Sequence, residues 1–168
     1  MITLTAAELQ TATALGTVRW RVLKDQSDAG SNHYHGTPQE RLDHNIQGAI
    51  GEFGAAKFFG LPEPTSDHQD PDRHDIGDRT DVKSIHSDAY NLVIVAGRVH
   101  PERLYMLALV IPPNVWLQGF RLGAWILARP AFYFPDGLRD YPGEAKRPCW
   151  KVPQAELLRV DGLTADLL

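Results

Sequence analysis

The chain has 168 residues, of which 43% are hydrophobic and 23% are charged, a composition typical of a folded rather than a disordered protein. No apolar run approaches the roughly 20 residues of a membrane span, and the first residues lack the basic and apolar regions of a signal peptide. We therefore expect one domain covering residues 1–168, without a membrane segment. The single cysteine, Cys149, excludes an internal disulfide and is typical of a reducing cytoplasm.

The formal net charge of −4 argues against binding to nucleic acids through overall charge. The acidity is local, however, because seven acidic residues fall within the nineteen residues 63–81 and the rest of the chain is close to neutral. These residues are Glu63, Asp67, Asp70, Asp72, Asp75, Asp78 and Asp81. So dense a cluster requires its own explanation.

Two helices are predicted in the first part of the chain. The first begins after Thr5, where Glu8 three residues later completes a capping box. The second begins after Thr37, with Glu40 in the same relation, and ends at Gly60.

The remainder of the chain predicts strands. Buried or alternating apolar patterns cover residues 80–85, 92–95 and 104–111, and residues 123–128 are a further strand candidate. Residues 152–168 predict a strand end followed by a short helix. Helices followed by several strands indicate an α/β domain, with a central mixed β-sheet flanked by helices on both faces.

The residues with the clearest chemical meaning lie around a predicted hairpin turn at residues 77–79. If the turn is centred on its middle residue, Asp75 lies opposite Asp81, with Cβ atoms about 4.5–5.5 Å apart. Two carboxylates so placed repel each other unless a divalent cation lies between them. The strand period of two then places Lys83 on the face of Asp81 and directs Val82 into the core.

This combination suits metal-assisted hydrolysis of a phosphodiester. Mg²⁺ binds one or two carboxylates, keeps several waters and accepts phosphate oxygens. An ammonium group beside it, here that of Lys83, can orient or help deprotonate the attacking water and stabilise developing charge.

The same residues resemble the signature of the PD-(D/E)XK nucleases, in which a helix carrying a Glu precedes an acid on one strand and an acid-x-Lys on the next. Asp75 and residues 81–83 match the strand part. Residues 48–57, Gly-Ala-Ile-Gly-Glu-Phe-Gly-Ala-Ala-Lys, match the helix part with Glu52 as the carboxylate. The likeness is greatest to small phage-type members and covers residues 45–96.

The resemblance implies a restriction-endonuclease-like fold and a metal-dependent deoxyribonuclease that acts on DNA. It implies that Asp75, Asp81 and the Val82 carbonyl bind Mg²⁺, for which Mn²⁺ can substitute. Glu52 would bind a second metal or position water, and Lys83 would assist the nucleophile. Many enzymes of this chemistry cut two strands as dimers, so a homodimer is among the expectations, in a bacterial or phage-infected cytoplasm.

Residues of the second predicted helix are consistent with this site. Asn45, Gly48 and Glu52 share one helical face. Gly48 and Gly51 each cost about 1 kcal/mol relative to alanine in mid-helix, and close approach of the helix to the sheet would explain both.

Some assignments have alternatives. Asp72 also precedes Asp81, in a literal Pro-Asp pair, and competes with Asp75 for the role of first acid. Arg98 and Arg103 follow a predicted strand and are candidate nucleic-acid contacts, as is Asn45.

Two other function classes remain open. One is a catalytically inactive DNA-binding or protein-interaction module on the same fold. The other is a calcium-binding structural domain built on the Asp-rich loop, although that loop lacks the spacing of an EF-hand.

Overall fold

A computed structural model describes residues 1–26, 37–65, 74–137, 148–164 and 167–168. In chain order its elements are β1 (Ile2–Thr3), α1 (Ala6–Gln26), α2 (Pro38–Phe59), β2 (Thr80–Ile85), β3 (Leu92–Val95), β4 (Leu104–Ile111), β5 (Asn114–Leu122), α3 (Gly123–Leu127), β6 (Tyr133–Phe134) and β7 (Cys149–Val152). Within the described ranges, none of the helices combines the length and the apolar character needed to cross a bilayer.

Both predicted capping boxes are confirmed. The Thr5 N–H donates to Glu8 Oε2 at 2.6 Å, and the Glu8 N–H donates to Thr5 Oγ1 at 3.2 Å. Thr37 and Glu40 form the same reciprocal pair at the start of α2. Gly60 ends α2 in the left-handed conformation with φ 66°, which glycine adopts without steric cost.

The central sheet is mixed, as predicted. Its strand order is β1-β5-β4-β2, with β2 parallel to β4 and the other neighbours antiparallel. A second, antiparallel sheet has the order β3-β7-β6. The central strand β4 is almost completely buried, because both of its faces are covered.

The two faces of β4 belong to different hydrophobic clusters. Met106 and Ala108 contribute to a cluster with α1 and α2, whereas Tyr105 and Leu107 contribute to one with β3, β7 and α3. Helices were predicted on both faces. The first face is covered by α1 and α2, but the only helix described on the second face is the five-residue α3. Most of the second face is covered by the three-stranded sheet, whose strand β3 buries alternate residues.

Two assignments are wrong in the second half of the chain. The predicted strand at residues 123–128 is instead the short helix α3 at Gly123–Leu127, at whose end the Ala128 N–H donates to the Ala124 carbonyl oxygen at 3.2 Å. A short apolar run fits either structure by periodicity alone. The strand that precedes α3, β5, was not predicted. The short helix expected within residues 152–168 is replaced by 3₁₀ turns at Gln154–Glu156 and Val160–Gly162.

The glycines of α2 differ in what they contact. A Cβ on Gly51 would overlap the Ser84 hydroxyl, which confirms a close approach of α2 to β2. A Cβ on Gly48 would meet no atom within 4 Å, so the predicted packing reason for Gly48 is wrong. Gly54 faces Val115 of β5, where an added Cβ would lie 2.6 Å from the Val115 Cβ.

Alanine substitutions at Gly48 and Gly54 are therefore expected to have opposite effects on stability. Gly54→Ala should lower the free energy of unfolding by about 1–3 kcal/mol, because the branched Val115 side chain cannot turn away from the new Cβ. Gly48→Ala should raise it by up to about 1 kcal/mol through helix propensity. Urea unfolding of both variants measures the difference, and equal effects would contradict the packing of α2 on β5.

Candidate active site

The hairpin at residues 77–79 brings the two aspartates together with the predicted register. Ile76 pairs with Thr80 as an isolated antiparallel bridge, and Gly77 between them has φ 57°. Extending that register by one residue sets Asp75 opposite Asp81. The Asp75 N–H donates to the Thr80 carbonyl oxygen at 2.9 Å. The alternative first acid, Asp72, lies outside the described residues.

The turn itself is held by Leu168, a residue that no pattern in the sequence connects with it. The Leu168 backbone oxygen accepts hydrogen bonds from the N–H groups of Asp78 at 3.1 Å and Arg79 at 2.7 Å. The Leu168 side chain is buried in the larger cluster, and a Cβ on Gly77 would lie 2.8 Å from the Leu168 carbonyl carbon. A residue far away in the chain thus sets the geometry of the hairpin that carries both aspartates.

The side chains of β2 alternate as predicted. Val82 is buried in the core, whereas Lys83 and Asp81 share the opposite face and form an ion pair between Nζ and Oδ1. The side chain of Asp81 is 15% exposed and that of Lys83 is 37% exposed. The pair is therefore shielded on the Asp81 side and accessible to solvent at Lys83.

Asp75 is tied to the backbone of β2. Its Oδ2 accepts a hydrogen bond from the Val82 N–H at 2.7 Å. Because β2 is an edge strand and the N–H and C=O of one strand residue point to the same side, the Val82 carbonyl also faces the free edge beside Asp75. Asp75 and the Val82 carbonyl thus lie at the free edge of β2, and the Asp81 side chain interacts with Asp75 from the adjoining face.

The electrostatics of the two aspartates diverge. Burial raises the pKa of Asp75 well above its ordinary value, and the negative charges of Glu52 and Asp81 raise it further. Burial also acts to raise the pKa of Asp81, but the neighbouring Lys83 ammonium outweighs it and the net shift is downward. One carboxylate is stabilised in its charged form by Lys83 while the other resists ionisation, as expected of two neighbouring acids.

Lys83 is held in its charged form. Burial acts to lower the pKa of Lys83, but the negative charges of Asp81 and Asp75 outweigh that effect and raise it. An ammonium group in this state can donate hydrogen bonds and stabilise negative charge.

Glu52 has a partner that the sequence did not reveal. Both of its carboxylate oxygens accept hydrogen bonds from Arg19 of α1, each at 2.6 Å, and both residues are buried. Burial raises the pKa of Glu52 in spite of this pairing. Its charge influences Asp75, Asp81 and Lys83, so α2 does place Glu52 within electrostatic range of the hairpin.

Removing the partner of Glu52 is expected to destabilise the protein strongly. Arg19→Met should lower the free energy of unfolding by about 3–5 kcal/mol at neutral pH, because it leaves a buried carboxylate without its counter-charge. The double variant Arg19→Met/Glu52→Gln should recover part of that loss. Urea unfolding measures both effects, with Arg21→Met on the exposed side of α1 as the control. A loss in Arg19→Met no larger than in the control would contradict the buried pair.

The predicted nucleic-acid contacts occupy different environments. Arg98 is exposed in the 3₁₀ turn Ala96–Arg98, and its charge lowers the pKa of Lys83. Arg103 is only 6% exposed, and its charge lowers the pKa of Asp81. Asn45 uses its amide within α2, donating to the Arg41 carbonyl oxygen at 2.8 Å. Arg98 is thus close enough to Lys83 to influence it and is exposed to solvent, whereas Arg103 is largely buried.

The ligand set available to a metal ion is small. Within the residues that the structure describes, no group of three or more His, Cys, Asp or Glu side chains is arranged to hold one. Asp75, Asp81 and the Val82 carbonyl remain as oxygen donors, since the oxygens of Glu52 are engaged by Arg19. Mg²⁺ commonly binds through one or two carboxylates and fills its other positions with water and substrate, so this set fits Mg²⁺.

Comparison with family models, with curated proteins and with solved structures finds no match to this chain.

Proposed function

We propose that the protein is a Mg²⁺-dependent nuclease that hydrolyses phosphodiester bonds of DNA, with a restriction-endonuclease-like fold. The observation that carries the proposal is the placement of Asp75 opposite Asp81, with their pKa values shifted apart and Lys83 paired to Asp81. Two ionised carboxylates in such contact repel each other and lower stability unless one is protonated or a cation compensates them. A divalent cation bound between them converts their repulsion into coordination.

The residues have distinct tasks in this proposal. Asp75, Asp81 and the Val82 carbonyl hold Mg²⁺, or Mn²⁺ in its place. When bound, the ion supplies Lewis-acid polarisation of the phosphate and lowers the pKa of a bound water. Lys83, which is charged and partly exposed, orients the attacking water and stabilises the charge that develops on the phosphate oxygens.

Glu52 contributes chiefly through its charge in this arrangement. A second metal at Glu52 would require the cation to displace Arg19 from both carboxylate oxygens. A site with one metal is therefore the simpler form of the proposal, and Glu52 and Arg19 then act as a buried support for α2 beside the hairpin.

The second candidate is a catalytically inactive DNA-binding or protein-interaction module on the same fold. One observation favours it: the arginine on Glu52 occupies the carboxylate that the resemblance assigns to metal or water. Against it stands the presence together of Asp75, Asp81 and Lys83, the side chains that the metal mechanism requires.

Cleavage of labelled DNA tests the proposal directly. Single-stranded, duplex and branched DNA are incubated with the protein in Mg²⁺, Mn²⁺ or EDTA, and matched RNA distinguishes the sugar requirement. We expect cleavage that depends on the metal and is absent in EDTA. DNA binding without cleavage in either metal would favour the inactive module, and cleavage that persists unchanged in EDTA would rule out the metal mechanism.

A further inference from the structure

Two arginine side chains pack against the ring of one tryptophan, outside the candidate active site. Arg121 lies near the end of β5, Trp125 lies in α3, and Arg129 follows that helix. The guanidinium carbons of Arg121 and Arg129 lie 3.8 Å and 3.7 Å from the centroid of a Trp125 ring. We refer to these three residues as the Arg–Trp–Arg stack.

The stack is held in place by its surroundings. Arg121 Nε donates to the Glu156 carbonyl oxygen, Arg129 Nη1 donates to the Trp125 carbonyl oxygen at 3.4 Å, and the Phe132 ring stacks on Trp125 with centroids 5.9 Å apart. Each arginine keeps further N–H groups beyond these bonds, because a guanidinium carries five. The two cations are thus oriented in advance and retain donors for a ligand.

Among the described residues, the Glu156 carboxylate acts on Arg121 without forming a salt bridge with it. In the described part of the chain, no carboxylate forms a salt bridge with Arg121 or Arg129. Partial burial lowers the pKa of Arg121 in spite of the opposing charge of Glu156, and the like charge of Arg129 lowers it further. An anionic ligand would relieve the repulsion between these two arginines, as a cation would relieve that of Asp75 and Asp81.

The register of the central sheet places the stack on the face of the candidate active site. Asp81 pairs with Tyr105, and Tyr105 pairs with Arg121, so the three residues form one row across β2, β4 and β5. Paired residues point to the same face, and adjacent strands lie about 4.8 Å apart. The backbone of Arg121 therefore lies about two strand spacings, roughly 10 Å, from the backbone of Asp81.

We propose that the Arg–Trp–Arg stack binds the phosphate backbone of a nucleic acid strand whose neighbouring phosphodiester lies at Asp75, Asp81 and Lys83. This inference rests on the proposed function for its substrate. Guanidinium groups bind phosphate oxygens through paired N–H donors, and stacking on an aromatic ring limits the freedom they lose on binding. Since guanidinium groups already cover Trp125, the contact is made through the arginine N–H groups and not by stacking a base on the indole.

Binding measurements in EDTA separate this site from catalysis. The anisotropy of a labelled oligonucleotide, single-stranded or duplex, is followed with the wild type, Arg121→Gln, Arg129→Gln and the control Arg21→Gln. Arg21 is exposed on α1, on the other side of the central sheet. We expect each stack variant to raise Kd about tenfold and to lower the slope of log K against log salt by about 0.7–0.9, the loss of one phosphate contact. The control should retain the wild-type values.

The variant Arg129→Lys distinguishes a lost phosphate contact from a loss of folding, because it should change Kd without changing the salt dependence of binding. It keeps the charge but not the planar fork, so Kd should be intermediate while the salt slope stays at the wild-type value. Circular dichroism establishes that each variant is folded, and Arg129→Gln remains informative if Arg121→Gln does not fold.

The outcomes distinguish the two proposals. Stack variants that bind like the control would overturn the inference, and metal-dependent cleavage by the wild type would leave the proposed function intact. Weakened binding by the stack variants, with no cleavage by the wild type in any metal, would support the stack and reject the nuclease. A wild type that binds no oligonucleotide even at low salt would overturn the inference, and the cleavage assay would then decide the function separately.

Discussion

Replacing Lys83 with alanine is expected to reduce the rate of metal-dependent DNA cleavage by about 10²–10⁴-fold, the range found for a positioned proton-transfer or charge-stabilising group. The ammonium of Lys83 is paired with Asp81, remains charged and is reachable from solvent. Its removal takes away the only side chain that the proposal assigns to the attacking water. The measurement is a single-turnover rate on the preferred DNA substrate, in Mg²⁺ and again in Mn²⁺.

The control for this prediction is Lys151→Ala, which removes a partly buried lysine from β7 in the other sheet. Lys151→Ala should cleave at the wild-type rate. Because DNA affinity is measured independently in EDTA, a loss of binding is separable from a loss of chemistry. A Lys83→Ala protein that cleaves within about threefold of the wild type would show that Lys83 has no catalytic role.

The second large expected effect is a change in the free energy of unfolding with pH and with Mg²⁺, caused by the ionisation of Asp75. In EDTA the folded protein should become less stable, relative to an Asp75→Asn variant, as the pH rises from the ordinary aspartate pKa of 3.8 towards the raised pKa of Asp75. Unfolding is followed at about pH 5.5 and about pH 8. The pKa of Asp75 is raised well above its ordinary value of 3.8 by burial and by its acidic neighbours. Between the ordinary and the raised pKa the folded state therefore binds more protons than the unfolded state, and stability falls with pH.

Other groups contribute in known directions. Glu8, whose pKa is lowered to about 2 by its hydrogen bond with Lys57, loses its contribution only below its ordinary value of 4.5. Burial lowers the pKa of His74, so His74 favours folding as pH rises towards its ordinary value of 6.5. His74 is present in both the wild type and Asp75→Asn, so the difference between the two proteins reports Asp75 together with the charges coupled to it, those of Glu52, Asp81 and Lys83.

Mg²⁺ should reverse the destabilisation at high pH. An ion bound between the ionised carboxylates stabilises the folded state by about 2.7 kcal/mol at a concentration one hundred times its Kd, and Asp75→Asn should lose most of that gain. Asp78→Asn, at the exposed tip of the turn, should respond like the wild type. Thermal unfolding in EDTA and in Mg²⁺ at both pH values measures these effects. A wild-type melting temperature that does not change with Mg²⁺ at about pH 8 would contradict the metal site.

The parts of the site predicted from the sequence are those fixed by short stretches of chain. The turn at residues 77–79 determines by its length that Asp75 lies opposite Asp81, and the strand period then places Lys83 with Asp81 and buries Val82. The capping boxes likewise join residues only three positions apart. Metal binding and catalysis by these residues stay predictions.

The tertiary structure alone decided which distant side chains meet. Arg19 reaches Glu52 across 33 residues, because α1 and α2 pack together and leave neither charge accessible to water. Leu168 supports the hairpin although 88 residues separate it from Thr80. Arg121 joins the row of Asp81 only through the pairing of β5 with β4, a strand that the sequence did not predict.

The two groups of features differ in the distance along the chain between the residues that determine them. Hydrogen bonds within a turn or a helix cap depend on a few neighbouring dihedral angles, and residue types at fixed spacings encode them directly. Contacts between elements depend on packing angle and strand register, which result from the burial of the whole core. The sequence by itself therefore determined the hairpin with Asp75, Asp81 and Lys83, whereas only the tertiary structure decided the partner of Glu52 and the surface beside the site.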